Sequence, residues 1–364
     1  MPIIASVSTY KPPYTLKQEV TTEFARELFS DNFHDIERLL PVFSNGQIEE
    51  RQFSVPLDWF REDHSFQERN DLYIDLATKY GAEAIKACLN NNVFLEEKIA
   101  EQSIDSIIMV SSSGVSTPSL DARIMNTLPF NSRTKRIPLW GLGCAGGASG
   151  IARGLDYCKA YPNANVLVVC VELCSLTFQK NDRSKSNLIG TSLFADGVAC
   201  ALLMGDESAY LEKVKQTIRP SILASESTLM ANSENVMGWD VKNTGLHVVF
   251  SRDIPTIIKK WLQPNVESFL NSHRLTLDHL VEFIAHPGGK KVLDAYVECL
   301  KIDPELTRVS QSILQKHGNM SSPTVLYVLE KIMEKEHQDG DYGLMAALGP
   351  GFSSELVLIQ WKGV

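Results

Sequence analysis

Three residues of unlike chemistry stand in comparable places along the chain. Cys144 lies in "GLGCAGGASG", a turn crowded with small residues between an apolar run and a helical pattern. His286 follows the apolar "EFIA" and precedes Pro-Gly-Gly. Asn319, in "HGNMSS", again sits between a glycine and a helical pattern. A thiol at a helix N-terminus faces unsatisfied N–H groups and the positive end of the helix dipole, and both stabilise the reactive thiolate. Small neighbours let a carbonyl carbon reach the sulfur, and their N–H groups can hold an oxyanion. An imidazole at a strand's carboxyl end lies where open α/β sheets gather functional groups. Taken singly, each has a plainer reading: a packed thiol, a satisfied histidine, a helix cap.

The elements that must hold these groups can be read from apolar runs. Strands are expected at "IIASVSTY", "SIIMVSSS" (106–113), "RIPLWGLG" (136–143), "ANVLVVCVEL" (164–173), "GVACALLMG" (197–205), "EFIAHP" (282–287), "YGLMAALG" (342–349) and "ELVLIQW" (355–361). Helical patterns such as "DLYIDLATKYGAEAIKACLNN" and "PTIIKKWLQPNVESFLNS" lie between them, so the fold class is α/β with parallel or mixed sheets. A division near residue 218 gives halves 1–218 and 219–364. The passage around Gly143-Cys144 is echoed at Gly318-Asn319. If the halves are duplicates, two helix N-termini converge on one site, one bearing a thiol and the other an amide.

The 364 residues carry a net charge of -9, and 44% are apolar, enough for a large core. Net acidity argues against general nucleic-acid binding, and no apolar run reaches membrane-spanning length. The start lacks the basic region of a signal peptide. Seven scattered cysteines form no CxxC pair, so neither a disulfide framework nor a zinc site is expected, and the cytoplasm is the expected compartment. Cys170 and Cys200 read as core. Cys88, Cys158 and Cys299 read as structural, and Cys174 as a pocket candidate. Among the other histidines, His34, His64, His273, His279 and His337 read as surface or satisfied residues, and His247 and His317 are ambiguous.

Taken together, "GLGCAGG", "AHPGG" and "GNMSS" resemble the type III polyketide synthases, the chalcone synthase-like enzymes of the thiolase fold. The resemblance extends to "NLIGTSLFADGVACALLMG" and "AALGPGFSSELVLIQW", and "VPLDWFREDHSFQERNDLYIDLA" resembles bacterial alkylpyrone synthases. It implies a duplicated five-layer αβαβα architecture. It also implies Cys144 as nucleophile, with His286 holding it as an ion pair and Asn319 joining His286 around a malonyl-derived enolate. Phe194 falls on the family's gatekeeper position. Ser112, Thr117, Cys174, Thr177, Val248 and Ser321 fall on pocket positions. In plant chalcone synthases the position of Thr117 usually carries methionine and reaches across a dimer interface. The small Thr117, Cys174 and Val248 suggest room for a long fatty acyl starter, hence alkylpyrone or alkylresorcinol-type products.

Arg38 and Arg252 match basic positions for CoA, whereas two further basic positions appear here as Pro41 and Asn45. Lys290 and Lys291 are candidate replacements. The resemblance implies acyl-CoA and malonyl-CoA as substrates, no metal or redox cofactor, and a homodimer, with an acyl carrier protein as a possible starter donor. Two alternatives stay open: a ketoacyl carrier-protein synthase III making one condensation, and a non-catalytic acyl-binding protein.

Overall fold

A computed structural model describes residues 1–29, 36–251 and 253–363; His34 and Arg252 lie outside them. Nine strands form the main sheet: β1 (Ile3–Tyr10), β2 (Ser106–Ser111), β3 (Lys135–Trp140), β4 (Asn165–Leu173), β5 (Asp196–Met204), β6 (Ile218–Leu229), β7 (Leu280–Ala285), β8 (Tyr342–Gly349) and β9 (Ser353–Gly363). Eight of them are the apolar runs read from the sequence. The ninth, β6, has a largely uncovered C-terminal half, "ASESTL", and offers little apolar signal.

The strand order is β7-β8-β9-β6-β1-β5-β4-β2-β3. From the outside inward on one side, β3, β2 and β4 run parallel, and β4–β5 and β5–β1 are antiparallel. From the other edge, β7–β8 is parallel, and β8–β9 and β9–β6 are antiparallel. A parallel pairing followed by two antiparallel ones thus occurs twice, with β3 an added edge strand on one side, and the two copies meet where Ile3 pairs with Ser221. Helix Gly146–Ala160 touches β2 and β4 of one copy and β6, β8 and β9 of the other. Helix Thr324–Met333 likewise touches β1, β5 and β7. These two helices are therefore the middle layer of a thiolase-like αβαβα stack. Helices Phe66–Leu89 and Ile254–Ser272 pack elsewhere on the two copies. The first begins in a capping box between Ser65 and Glu68.

The middle layer explains the glycines around Cys144. A Cβ on Gly147 would overlap the Ser322 carbonyl, so only glycine lets the two central helices approach this closely. Most of the apolar core, including Cys88, Cys158, Cys170 and Cys200, gathers around the first copy; Cys299 belongs to the second cluster.

Candidate active site

Cys144 and Asn319 occupy equivalent places before the two middle helices. Gly143 and Gly318, each one residue ahead, both take left-handed backbone, with φ of 48° and 65°. These turns aim a thiol and an amide at one another. Cys144 Sγ lies 3.9 Å from both Asn319 Oδ1 and Nδ2. The backbone decides which way the amide points. The Ser321 N–H donates to Oδ1 at 2.8 Å, and Nδ2 donates to the Gly288 carbonyl at 3.2 Å. Asn319 therefore presents N–H groups, not oxygen, toward the "HPGG" turn.

His286 ends β7, with its own N–H donating to Ala346 at 2.8 Å, and Gly288 folds back onto its carbonyl. Cys144, His286 and Asn319 line one cavity of about 450 Å³. Burial pushes the Cys144 thiol up to about 11, against the opposing hydrogen bonds of Ser321 and Asn319. Burial also pulls the His286 imidazole down to about 3. Among the described residues, neither His286 nitrogen has a hydrogen-bond partner. Among the described residues, no hydrogen bond joins Cys144 Sγ to His286. Desolvation thus disfavours the charged form of each group.

A second, narrow cavity of about 60 Å³ lies beside the first, with six Phe and two Leu among its lining residues. Cys174, Thr177, Phe194 and Val248 all line it. Phe194 stacks on Phe250 at 5.5 Å and lies 5.8 Å from Trp239. Phe250 lines the wide cavity and Phe194 the narrow one, so this ring pair forms the partition. Backbone bonds between Asn319 and both Leu193 and Ala195 fix the partition relative to the amide.

Other expected residues lie elsewhere. Ser112 does not line either cavity; its N–H and hydroxyl both bond to Glu172. Ser321 stays at the site, its backbone N–H on Asn319 Oδ1 and its side chain hydrogen-bonded to Cys144. Thr117 is exposed on the surface. Arg38, Pro41, Asn45, Lys290 and Lys291 line the wide cavity, with Lys290 paired to Asp294 at 2.7 Å. His337 is buried, stacked on Trp361 and 3.5 Å from Glu282, and His247 links Thr244 to Asp182.

Two buried charges escaped the sequence reading. Glu172 accepts from Ser112, from the Ser113 N–H and from the Ser322 hydroxyl, tying a strand end of one copy to the middle helix of the other. Its signal was a lone acid inside "ANVLVVCVEL". Arg51 is buried with its Nη1 on the carbonyls of Thr191 and Phe194, both at 2.7 Å, and its stem fills the space beside Gly318. Burial pulls its pKa down to about 9. Nothing in "IEERQFSVP" distinguishes it from a surface cation.

Known proteins share this architecture. Residues 59–207 match the family model for chalcone and stilbene synthases, N-terminal domain, and residues 221–362 the model for the C-terminal domain. A putative chalcone synthase of Bacillus subtilis is 53% identical over 363 residues, covering 100% of this chain and 99% of that protein. A phloroglucinol synthase of Pseudomonas fluorescens is 30% identical, covering 88% of each. The crystal structure of 1,3,6,8-tetrahydroxynaphthalene synthase from Streptomyces coelicolor, a bacterial type III polyketide synthase, superimposes with a TM-score of 0.91 at 30% identity, covering 100% of both chains. Fold and relatives together define a thiolase-fold acyltransferase. Within that class, the chain belongs to the chalcone and stilbene synthase family: it is a type III polyketide synthase, an enzyme of malonyl-CoA condensation.

Proposed function

We propose that the enzyme loads a long-chain fatty acyl group onto Cys144, extends it with two or three malonyl units, and releases triketide or tetraketide alkylpyrones or related alkylresorcinol-type products. The observation that carries this reading is the narrow aromatic cavity behind Phe194. Its small members Cys174, Thr177 and Val248 put little bulk in the wall along which an alkyl chain would run.

Burial that disfavours a standing charge on either group suits the chemistry. As Cys144 Sγ attacks the acyl-CoA carbonyl, its proton passes to His286, a C–S bond forms, and the imidazolium returns the proton to the departing CoA thiolate. Malonyl-CoA then loses CO2. The resulting enolate oxygen accepts hydrogen bonds from the His286 N–H and Asn319 Nδ2. Its carbon attacks the Cys144 thioester, and the Cys144 thiolate leaves. A neutral imidazole is the form that can be both base and donor in these steps. Neither metal nor redox cofactor enters this sequence of steps.

Arg38, Lys290 and Lys291 at the wide cavity suit CoA phosphates, with Arg252 a further candidate. The acidic surface of a carrier protein would meet the same cations if it donated the starter. The chain works as a homodimer in this reading, cytoplasmic, with halves 1–218 and 219–364. The sheet-edge strand β3, with Trp140 51% exposed, supports the dimer as a pairing surface. The test is product mass with malonyl-CoA and a graded series of acyl-CoA starters, run beside Cys144→Ala. Hydroxynaphthalene or phloroglucinol as the main product would overturn the long-chain reading.

A further inference from the structure

The narrow cavity is small for the starter proposed above. At about 60 Å³ it falls well short of the roughly 150 Å³ that accepts a benzene ring. Part of its wall must therefore yield to an alkyl chain, and the wall is not uniform. Phe29, Phe53, Phe60 and Phe178 interlock edge to face, with centroids 5.6–5.9 Å apart. Such a set repacks only as a unit.

Phe24 stands outside that set. It makes no aromatic contact among the described residues, and the Arg61 guanidinium covers its ring 5.0 Å from the centroid. Arg61 is itself 45% exposed and pairs with Glu27 and Asp58 at the surface. The ring thus has the cavity on one side and a surface cation on the other. Leu28, one turn further along helix Gln18–Phe29, and Leu57 also line the cavity; both are only half-buried. Exposed ion pairs hold such a cover weakly.

We infer that Phe24 is the movable end stop of the starter tunnel: it turns aside to admit an alkyl chain, and the reach of that movement sets the upper limit of acyl chain length. This rests on the long-chain reading of the same site. Below the stop, each added methylene is buried and raises kcat/KM by about fourfold. Beyond it, the gain ceases, giving a break in the profile of log kcat/KM against carbon number.

The experiment measures that profile for saturated acyl-CoA starters in the wild type, Phe24→Ala and Leu28→Trp. Removing the ring should move the break about three or four carbons longer, since the ring occupies roughly that many methylene volumes. The indole should move it shorter. A wild-type break that stays put in both variants overturns the end-stop role while leaving the long-chain reading intact. A wild-type profile that never rises with chain length overturns the long-chain reading itself. Should Phe24→Ala fail to fold, Leu28→Trp decides: a shorter limit supports the end stop, and an unmoved one refutes it.

Discussion

Replacing Asn319 by Asp changes one terminal group and leaves the side chain's shape intact. The Ser321 N–H still finds an oxygen at 2.8 Å. The other end changes sign: where Nδ2 donates to the Gly288 carbonyl at 3.2 Å, a carboxylate would set oxygen against oxygen. It would also face the developing enolate as a negative charge. Loss of a single oxyanion donor typically costs about 100- to 1,000-fold in rate, roughly 2.7–4 kcal/mol, and like-charge repulsion adds to it. Acylation of Cys144 should suffer much less, by under about tenfold, because thiol attack draws chiefly on His286. The assay separates the half-reactions. CO2 release from malonyl-CoA reports decarboxylation, and intact-protein mass after mixing with acyl-CoA reports loading of Cys144. Burial and the Gly288 carbonyl both favour the protonated form of the introduced carboxyl, whose O–H restores a donor. Decarboxylation in Asn319→Asp should therefore recover partly as pH falls. Equal losses in both half-reactions, with no recovery at lower pH, would refute the role given to the amide.

Two further predictions concern stability. Glu172→Gln replaces an acceptor-only carboxylate, held by donors from Ser112, Ser113 and Ser322, with a group that presents N–H to some of them. Denaturant unfolding should show a loss of about 2–4 kcal/mol. Acid should also weaken the fold. Burial pulls both His286 and His317 down to about 3 in the native state, below the ordinary imidazole range. Each therefore contributes stability that is complete above the unfolded value of roughly 6.5 and is lost as pH falls toward about 3, at about 1.4 kcal/mol per pH unit per histidine. His317→Gln should make the stability–pH curve shallower over that window, and an unchanged slope would count against the burial effect.

Much of the architecture was legible because most of its strands are apolar runs buried on both faces and bounded by turn signals. The strand β6 was not, since "ASESTL" leaves one face uncovered and so lacks the run. Cys144, His286 and Asn319 could be picked out by type and by their places beside strand ends and helix starts. Their mutual approach could only be inferred from the echo of Gly143-Cys144 in Gly318-Asn319. The desolvation of Cys144 and His286 was not legible at all. Residue types suggest a thiolate and an imidazolium, but desolvation depends on how completely the two sheet copies close around them. Arg51 was hidden for a related reason: a cation in a short strand reads as solvated until the third dimension buries it under Phe194.

The central claim is that Cys144 carries an acyl starter and extends it iteratively. The most direct measurement is mass analysis of the products from acyl-CoA starters of increasing length with malonyl-CoA, for the wild type and Cys144→Ala. The expected result is triketide and tetraketide pyrone masses that track the starter, strongest with long chains and absent from the variant. Products from Cys144→Ala at the wild-type level, or a single two-carbon extension as the only product, would contradict it.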